Sequence, residues 1–288
     1  MSDDAQIPAD PATIVTAFVS ADVPPFDVFF NRLAAWVTHG AYCHVECAFE
    51  GVTIGRLRAI QSTLHRLLMR ARKLSPAHER VRVAVRGVLA QFPPNMPDDY
   101  SITLAFYALA GGEPLGVRVL SPHASEPFFR PYSDRWRTYR LEGAPTPAVQ
   151  FALEWSFSKC GLPYDTMGAL TSVLRSRHAD CAIPDPPTWF CSNLALRLLQ
   201  HLGLCNDLSM TGTTPNILQA RLLKYIPVSD GAVGAKENSD HSSEKGTGGS
   251  YAIRLDQGHW SVVTTPFIPL ESAVRSAARF TPESQPEI

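Results

Sequence analysis

Residues 191–204 read CSNLALRLLQHLGL, an amphipathic stretch that begins with a cysteine. Its apolar residues recur at the spacing of one helix face, and Gly203 is typical of the position just after a helix end. The stretch IPDPPTW at 183–189, directly before it, has the composition of a rigid loop. The sequence therefore predicts a helix that begins at Cys191, buries one side and fixes the position of the cysteine.

Cys191 is a candidate nucleophile because of this position. The unpaired N–H groups and the dipole at a helix N-terminus favour negative charge and stabilise a thiolate, the nucleophilic form of cysteine. A cysteine at the start of a core helix can also be a small buried residue with no chemical role. A nucleophilic role requires a base elsewhere in the chain.

The stretch YCHVECAFE at 42–50 alternates as a strand does. Cys43, Val45, Cys47 and Phe49 fall on one face, and Tyr42, His44 and Glu46 on the other. We expect a half-buried strand with a polar face, on which His44 is held rigidly enough to accept the thiol proton. A strand histidine can also be structural, and His123 and His178, both in expected loops, are weaker alternatives.

The other segments predict a mixed α+β chain. Strand patterns occur at 12–20, in SITLAFYALA and PLGVRVL as a hairpin, and in WRTYRLEG, and they indicate a small antiparallel sheet. Helical patterns occur at 26–37, in AVQFALEWSFSKCG, after LPYDTMGAL and in TTPNILQARLL. We expect a main domain over 1–228, a polar Gly- and Ser-rich linker over 229–250, and a C-terminal extension over 251–288.

A basic insertion occupies about 54–91 of this main domain. Helical spacing broken at Ser75–Pro76 indicates two helices, or one helix and a less certain second element. Between 54 and 86 nine arginine and lysine residues stand against a single acid, Glu79. Such a segment could dock on nucleic acid, anionic lipid or an acidic partner, or it could be a solvated helical face. No aromatic residue is interleaved there to stack on bases, which favours the solvated face.

Composition limits the remaining possibilities. With 288 residues, 45% of them apolar, the chain can bury a sizeable core, and its formal charge of -1 gives no general attraction to nucleic acid or acidic membranes. Its acidic start is unlike a signal peptide, and no apolar run reaches the roughly 18 residues of a membrane span. Six scattered cysteines without a CxxC pair indicate reduced thiols. We expect a soluble intracellular protein, cytoplasmic or, if viral, virion-associated, with no metal or cofactor.

Four motifs occur in an order that resembles a known superfamily: HVECAF, GLPYDTMGAL, FCSNLALRLLQHLGL and TTPNILQ. They are similar to the circularly permuted papain-like cysteine hydrolases, an NlpC-related group that includes lecithin–retinol acyltransferase relatives and homologues in bacteria and large DNA viruses. The resemblance covers roughly residues 12–225. It implies a permuted papain-like fold in which a small antiparallel sheet presents His44 opposite the first turn of the Cys191 helix.

The resemblance also implies a reaction. The Cys191 thiolate would attack the carbonyl of a peptide, an amide or a lipid ester, with His44 as base and then acid and with an acyl-enzyme as intermediate. Peptidase, amidase, acyltransferase and thioesterase activities all fit this scheme, and none needs a cofactor. The alternative is a catalytically weak or inactive papain-like protein that keeps the fold and binds partners.

The third catalytic residue is the least certain member of the site. The resemblance places it on the strand after the histidine strand, where SITLAFYALA offers hydroxyl groups such as that of Ser101 and no acid. Glu46 shares the face of His44, but a same-face neighbour on a strand lies ~6–7 Å away and cannot easily bond the ring. Both residues are therefore retained as candidates.

Four further residues are expected to form the surroundings of Cys191. Asp165 would cap a helix and Tyr164 would pack under the site, although a chemical role for the pair stays open. Trp189 and Phe190 would line an acyl pocket or support the loop before Cys191.

Overall fold

The computed structural model describes residues 13–21, 32, 35–36, 38, 40–108, 115–120, 136–172, 185–225, 250–256 and 259–263. Within these ranges the chain is a mixed α+β protein. The strands are β1 (Thr13–Ser20), β2 (Tyr42–Thr53), β3 (Ser101–Tyr107), β4 (Gly116–Leu120), β5 (Trp136–Glu142), β6 (Ser250–Asp256) and β7 (His259–Val263). The helices are α1 (Ile54–Ala71), α2 (Pro76–Leu89), α3 (Thr146–Lys159), α4 (Thr166–Thr171), α5 (Cys191–His201) and α6 (Pro215–Leu223).

The strands form one sheet in the order β4-β3-β2-β1-β5-β6-β7. Every neighbouring pair from β4 to β5 is antiparallel, which confirms the antiparallel sheet expected from the strand patterns. The sheet is larger than expected, because β6 pairs with β5 in parallel and β7 then pairs antiparallel with β6. β2, the strand of His44, therefore lies inside the sheet with a paired strand on either side.

The added strands change the expected division of the chain at its C-terminal end. The sequence predicts a linker up to residue 250 and a C-terminal extension after it, but Ile253 lies opposite Leu141 of β5 and is fully buried in the main core. This part of the C-terminal segment therefore belongs to the main domain. The rest of the expected linker, 229–249, and residues 264–288 lie outside the described residues.

Burial along β2 differs from the expected half-buried pattern. All six residues from His44 to Phe49 are buried, including the side chains of His44 and Glu46. The strand has its polar side chains on one face as predicted, but that face is covered: the Trp136 ring of β5 lies 6.4 Å from the His44 ring, centroid to centroid. A bulge in the pairing between Val19 and Ser20 of β1 lies beside His44.

Three helices begin at side-chain hydroxyl caps, and α4 (Thr166–Thr171) begins within LPYDTMGAL and not after it as expected. The hydroxyl groups of Thr53, Ser75 and Thr214 accept N–H bonds at the starts of α1, α2 and α6. Gly161 and Gly203, with φ near +80°, follow α3 and α5 in the left-handed conformation that glycine adopts without strain. The expected helix at 26–37 lies largely outside the described residues. No helix in the described ranges is both long and apolar enough to cross a membrane.

The basic insertion is a pair of helices, α1 and α2, between β2 and β3. This confirms the two-helix alternative for 54–91. Arg58 donates to the carbonyls of Pro94 and Met96 and pairs with Asp98, and Arg80 donates to the carbonyl of Ser158 at the end of α3. Several of its cations therefore attach the insertion to the rest of the protein.

Candidate active site

The first turn of α5 holds Cys191 in a fixed position. Helix α5 begins at Cys191, as predicted, and the Asn193 side chain accepts the N–H of Phe190 at 2.8 Å. The buried Ser192 hydroxyl donates to the carbonyl of Thr213 at 2.7 Å, which attaches this turn to the segment before α6. Cys191 itself is 7% exposed. The cysteine is thus anchored on both sides at a helix N-terminus.

The loop before Cys191 is hydrogen-bonded to the segment before α4. Trp189 donates its N–H to the carbonyl of Pro163 at 3.2 Å and accepts the N–H of Asp165 at 2.8 Å, so the two segments pair as a short parallel bridge. The Trp189 side chain is fully buried and lies edge-on to Trp155 of α3, with ring centroids 5.4 Å apart. The bridge brings GLPYDTMGAL and FCSNLALRLLQHLGL together.

Asp185 fixes the same loop to two helices. Its carboxylate lies 2.7 Å from Nζ of Lys159 and accepts the indole N–H of Trp155 at 2.9 Å, both from α3. It also lies 3.0 Å from Nε of Arg197 on α5. Burial raises the pKa of Asp185, but these donors and the positive charges outweigh burial and lower it below its usual range. No local pattern in the sequence indicates this role of Asp185, because its partners are brought to it only by the fold.

The Cys191 thiol is among the groups that shift the pKa of His44, so the fold brings the two residues first singled out from the sequence within range of each other. The histidine is 5% exposed. Burial alone lowers the pKa of the ring, since it disfavours the charged form, but hydrogen bonds and negative charge from Cys191 and Glu46 outweigh burial and raise the pKa to about 9. Both neighbours therefore favour the charged form of the ring.

Glu46 approaches the ring of His44 more closely than expected. Its Oε2 atom lies 3.8 Å from Nε2 of His44, and the side chain is 2% exposed. The expected separation of ~6–7 Å is the distance along the backbone between two positions of a strand that share a face. The Glu46 side chain is long enough to bring its carboxylate closer to the ring than this. Cys191, His44 and Glu46 therefore form a buried row of thiol, imidazole and carboxylate.

The prediction that Ser101 belongs to the site is wrong. It is exposed and pairs with Thr53, at the opposite end of β2 from His44, which is about 30 Å away at the rise of a strand. The antiparallel register makes this inevitable, because the start of β3 lies beside the end of β2. Sequence alternation could not locate Ser101, since it carries no information on which ends of two strands meet.

The four surrounding residues have distinct placements. The Asp165 carboxylate accepts the N–H of Gly168 at 2.6 Å and caps α4, as predicted. Tyr164 is half-buried, and burial raises the pKa of its phenol, with further contributions in the same direction from Cys191 and Asp165. Phe190 and Trp189 are both buried, so of their two expected roles the structure favours support of the loop.

The environment of Cys191 differs from that of the other buried thiols. Burial is the largest cause that raises the pKa of Cys47, Cys160 and Cys205 to about 12, and none of the three has an imidazole among the groups that shift it. Among the residues that the structure describes, no group of three or more His, Cys, Asp or Glu side chains could hold a metal ion.

A further residue of the site region, Asn216, lies in the TTPNILQ motif. Its amide oxygen accepts the N–H of Tyr42 at 2.8 Å and its amide nitrogen donates to the carbonyl of Tyr42 at 2.9 Å. The side chain thus pairs with the start of β2 as a neighbouring strand would, two residues before His44. The motif signalled a helix start at Thr214, but nothing in it signalled this contact.

Comparisons with known proteins give no assignment: no protein-family model, curated protein or solved structure matches this chain.

Proposed function

We propose that the protein is a cysteine-dependent hydrolase or acyltransferase that acts on an amide or ester carbonyl, with a permuted papain-like arrangement of its catalytic groups. The observation that carries the proposal is the pair of groups around the buried His44 ring: the Cys191 thiol, which acts on its pKa, and the Glu46 carboxylate, whose Oε2 lies 3.8 Å from Nε2. A thiol, a base and an acid that orients the base are the parts that nucleophilic acyl transfer requires.

Each residue takes a defined role in this reaction. His44 removes the thiol proton, and the resulting imidazolium and the N-terminus of α5 stabilise the Cys191 thiolate. Because Glu46 faces Nε2, we assign the proton exchange with the thiol to Nδ1. The carboxylate holds the ring in this orientation and stabilises its positive charge.

Acyl transfer then proceeds in two stages. The Cys191 sulfur attacks the carbonyl carbon, and the carbonyl electron pair moves to oxygen to form an oxyanion, for which the unpaired N–H groups of the first turn of α5 are suitable donors. The oxyanion collapses, the bond to the leaving group breaks, and His44 donates its proton to that group. In the second stage His44 takes a proton from water or another acceptor, which attacks the thioester and frees Cys191.

A second candidate is a papain-like protein without catalysis, which binds partners through its surface. The observation that favours it is the enclosure of the site: Cys191, His44 and Glu46 are 7%, 5% and 2% exposed. A substrate carbonyl needs access to the sulfur. The alternative and the catalytic proposal therefore make opposite predictions for the reactivity of Cys191 in solution.

Site-resolved alkylation separates these candidates. The protein is treated with iodoacetamide at neutral pH, and modification of each cysteine is followed by mass spectrometry. Cys191 is expected to react faster than Cys43, which is more exposed, and faster than the buried thiols of Cys160 and Cys205. His44→Ala should remove the advantage. Equal or slower reaction of Cys191 relative to Cys43 would support the non-catalytic candidate.

The acyl-enzyme provides the second test. Incubation with an activated ester such as p-nitrophenyl acetate should add one acyl group to the protein, located on Cys191 and removable by hydroxylamine. Cys191→Ala should abolish the adduct, whereas Cys205→Ala serves as a matched control at a buried cysteine of the same region. Acylation that persists in Cys191→Ala would refute the assignment of the nucleophile.

A further inference from the structure

The basic residues of the α1–α2 helix pair fall into two groups with different environments. Near the start of α1 and along α2, Arg58, Arg80 and Arg82 bond to carbonyls or carboxylates of the protein. Arg56 is partly buried, and burial lowers its pKa. Arg58 and Arg80 attach the helix pair to neighbouring segments, Arg82 is neutralised by Glu79 on the same helix, and all four arginines are therefore poorly placed to bind a partner.

The second group lies at the far end of α1 and in the turn after it. Arg66, Arg70, Arg72 and Lys73 are all exposed, and in the described part of the chain none of them forms an ion pair. No acidic residue occurs between 54 and 78. We call Arg66, Arg70, Arg72 and Lys73, with Met69, the α1 tip.

Helix geometry places the tip residues on one surface. Arg66 and Arg70 are four residues apart and therefore neighbours on the same face, and Met69 lies beside them, one turn after Arg66. Leu57 and Leu64 mark the opposite, buried face of α1. Arg72 ends the helix in the left-handed conformation, and Lys73 follows it in the chain.

The apolar part of the α1 tip distinguishes it from a solvated basic face. Met69 is 70% exposed among these cations. A long unbranched apolar side chain surrounded by arginine and lysine matches the boundary between headgroups and acyl chains at an anionic membrane. Nucleic acid binding would favour aromatic side chains for stacking, and the tip contains none.

We propose that the α1 tip is a docking surface for an anionic phospholipid bilayer, with the four cations on the headgroups and Met69 at the level of the acyl boundary. Each cation near an anionic surface changes the partition coefficient about five-fold. The attraction operates within a Debye length and is therefore weakened by salt. The binding is reversible and peripheral, and it does not depend on whether Cys191 is catalytic.

The experiment is co-sedimentation of the full chain with vesicles of phosphatidylcholine alone and with an equimolar mixture of phosphatidylcholine and phosphatidylserine. Binding to the mixed vesicles only, lost on addition of salt, is expected. Arg70→Gln should weaken binding about five-fold and the triple variant Arg66→Gln/Arg70→Gln/Lys73→Gln about 100-fold. Arg86→Gln is the matched control, since Arg86 is an exposed arginine on α2 outside the tip, and it should leave binding unchanged.

Met69→Ser separates the lipid from other anions. It should weaken binding to the mixed vesicles without changing the dependence on salt, because it removes apolar contact and no charge. Equal binding of the triple variant and the unmodified protein overturns the proposal. The proposal is also overturned if the protein does not bind the mixed vesicles but binds single-stranded RNA or polyglutamate through Arg70. The partner would then be a nucleic acid or an acidic protein.

Discussion

The Glu46 carboxylate lies 3.8 Å from Nε2 of His44, although both residues belong to β2 and are separated by one position. In the proposed site, the histidine and the acid that would orient it thus come from the same strand. The burial of both side chains strengthens their electrostatic interaction, because little water is present to screen it.

Glu46→Gln tests this arrangement. Gln keeps the shape of the side chain but removes the negative charge, so His44 loses part of the stabilisation of its charged form. We expect the alkylation rate of Cys191 at neutral pH, and any ester hydrolysis, to fall on the order of 10- to 100-fold. Glu50→Gln, also on β2, is the control and should leave both rates unchanged. Equal rates in Glu46→Gln and the unmodified protein would remove Glu46 from the site.

The pH dependence of the reaction follows from the raised pKa of His44. The pKa of about 9 lies above the usual 6.5, so the ring stays protonated up to that pH and can act as the acid in the first stage. We expect kcat/KM for ester hydrolysis to decline above pH ~9, as His44 loses its proton. Because Glu46 raises the pKa of His44, Glu46→Gln should move this decline to lower pH. If the decline occurs at the same pH in Glu46→Gln and in the unmodified protein, it is not caused by the loss of the proton from His44.

The sequence predicted the two principal site residues because each follows from a local pattern. Alternation over 42–50 placed His44 on a strand, and apolar spacing after Cys191 placed the thiol at a helix start. The distance from Glu46 to His44 depended on side-chain conformation, and alternation gives only the positions of Cβ atoms. β6 was missed because its partner, β5, is separated from it by more than 100 residues and pairs in parallel. Such long-range pairing leaves no local pattern.

Asp185→Ala should misplace Cys191 without removing any group of the row. The variant removes the carboxylate shared by Lys159 and Arg197 and releases one end of the loop that leads into α5. We expect the alkylation rate of Cys191 to fall about 10-fold, as modest misplacement of a reacting group does. The measurement is the alkylation rate as a function of pH, compared with the midpoint of urea unfolding.

The matched control for Asp185 is Asp207→Ala, which removes an exposed ion pair of similar length with Arg221, 2.9 Å. Asp207→Ala should change neither the alkylation rate nor its pH profile, since exposed ion pairs contribute little to the stability of the fold. Restoration of the rate by Asp185→Asn would show that the hydrogen bonds of Asp185 suffice for positioning. If Asp185→Ala lowers the unfolding midpoint but leaves alkylation of the folded protein unchanged, Asp185 is structural only.

Asn216→Ala tests whether the contact from α6 holds the start of β2 in place. The substitution removes the two hydrogen bonds to the backbone of Tyr42 and the donor to the Thr38 hydroxyl, 2.5 Å away. At about 1 kcal/mol for each bond, we expect the free energy of unfolding to fall by about 2–3 kcal/mol. Asn206→Ala removes one hydrogen bond, to the carbonyl of Gly203 at an exposed turn. It should lower the free energy of unfolding by less than about 1 kcal/mol, as expected for a single bond at the surface.

The titration of His44 in Asn216→Ala shows whether Asn216 positions the imidazole or only stabilises the folded protein. Release of Tyr42 frees the strand two residues before the imidazole, so the ring should move relative to Cys191 even where the protein remains folded. We expect the titration of His44, followed by NMR of its ring protons, to shift from about 9 towards the usual 6.5 in Asn216→Ala, because the contacts that raise its pKa are weakened. A titration near 9 in the folded variant would show that β1 and β3 alone hold His44 against Cys191, and that the Asn216 contact contributes only to the free energy of unfolding.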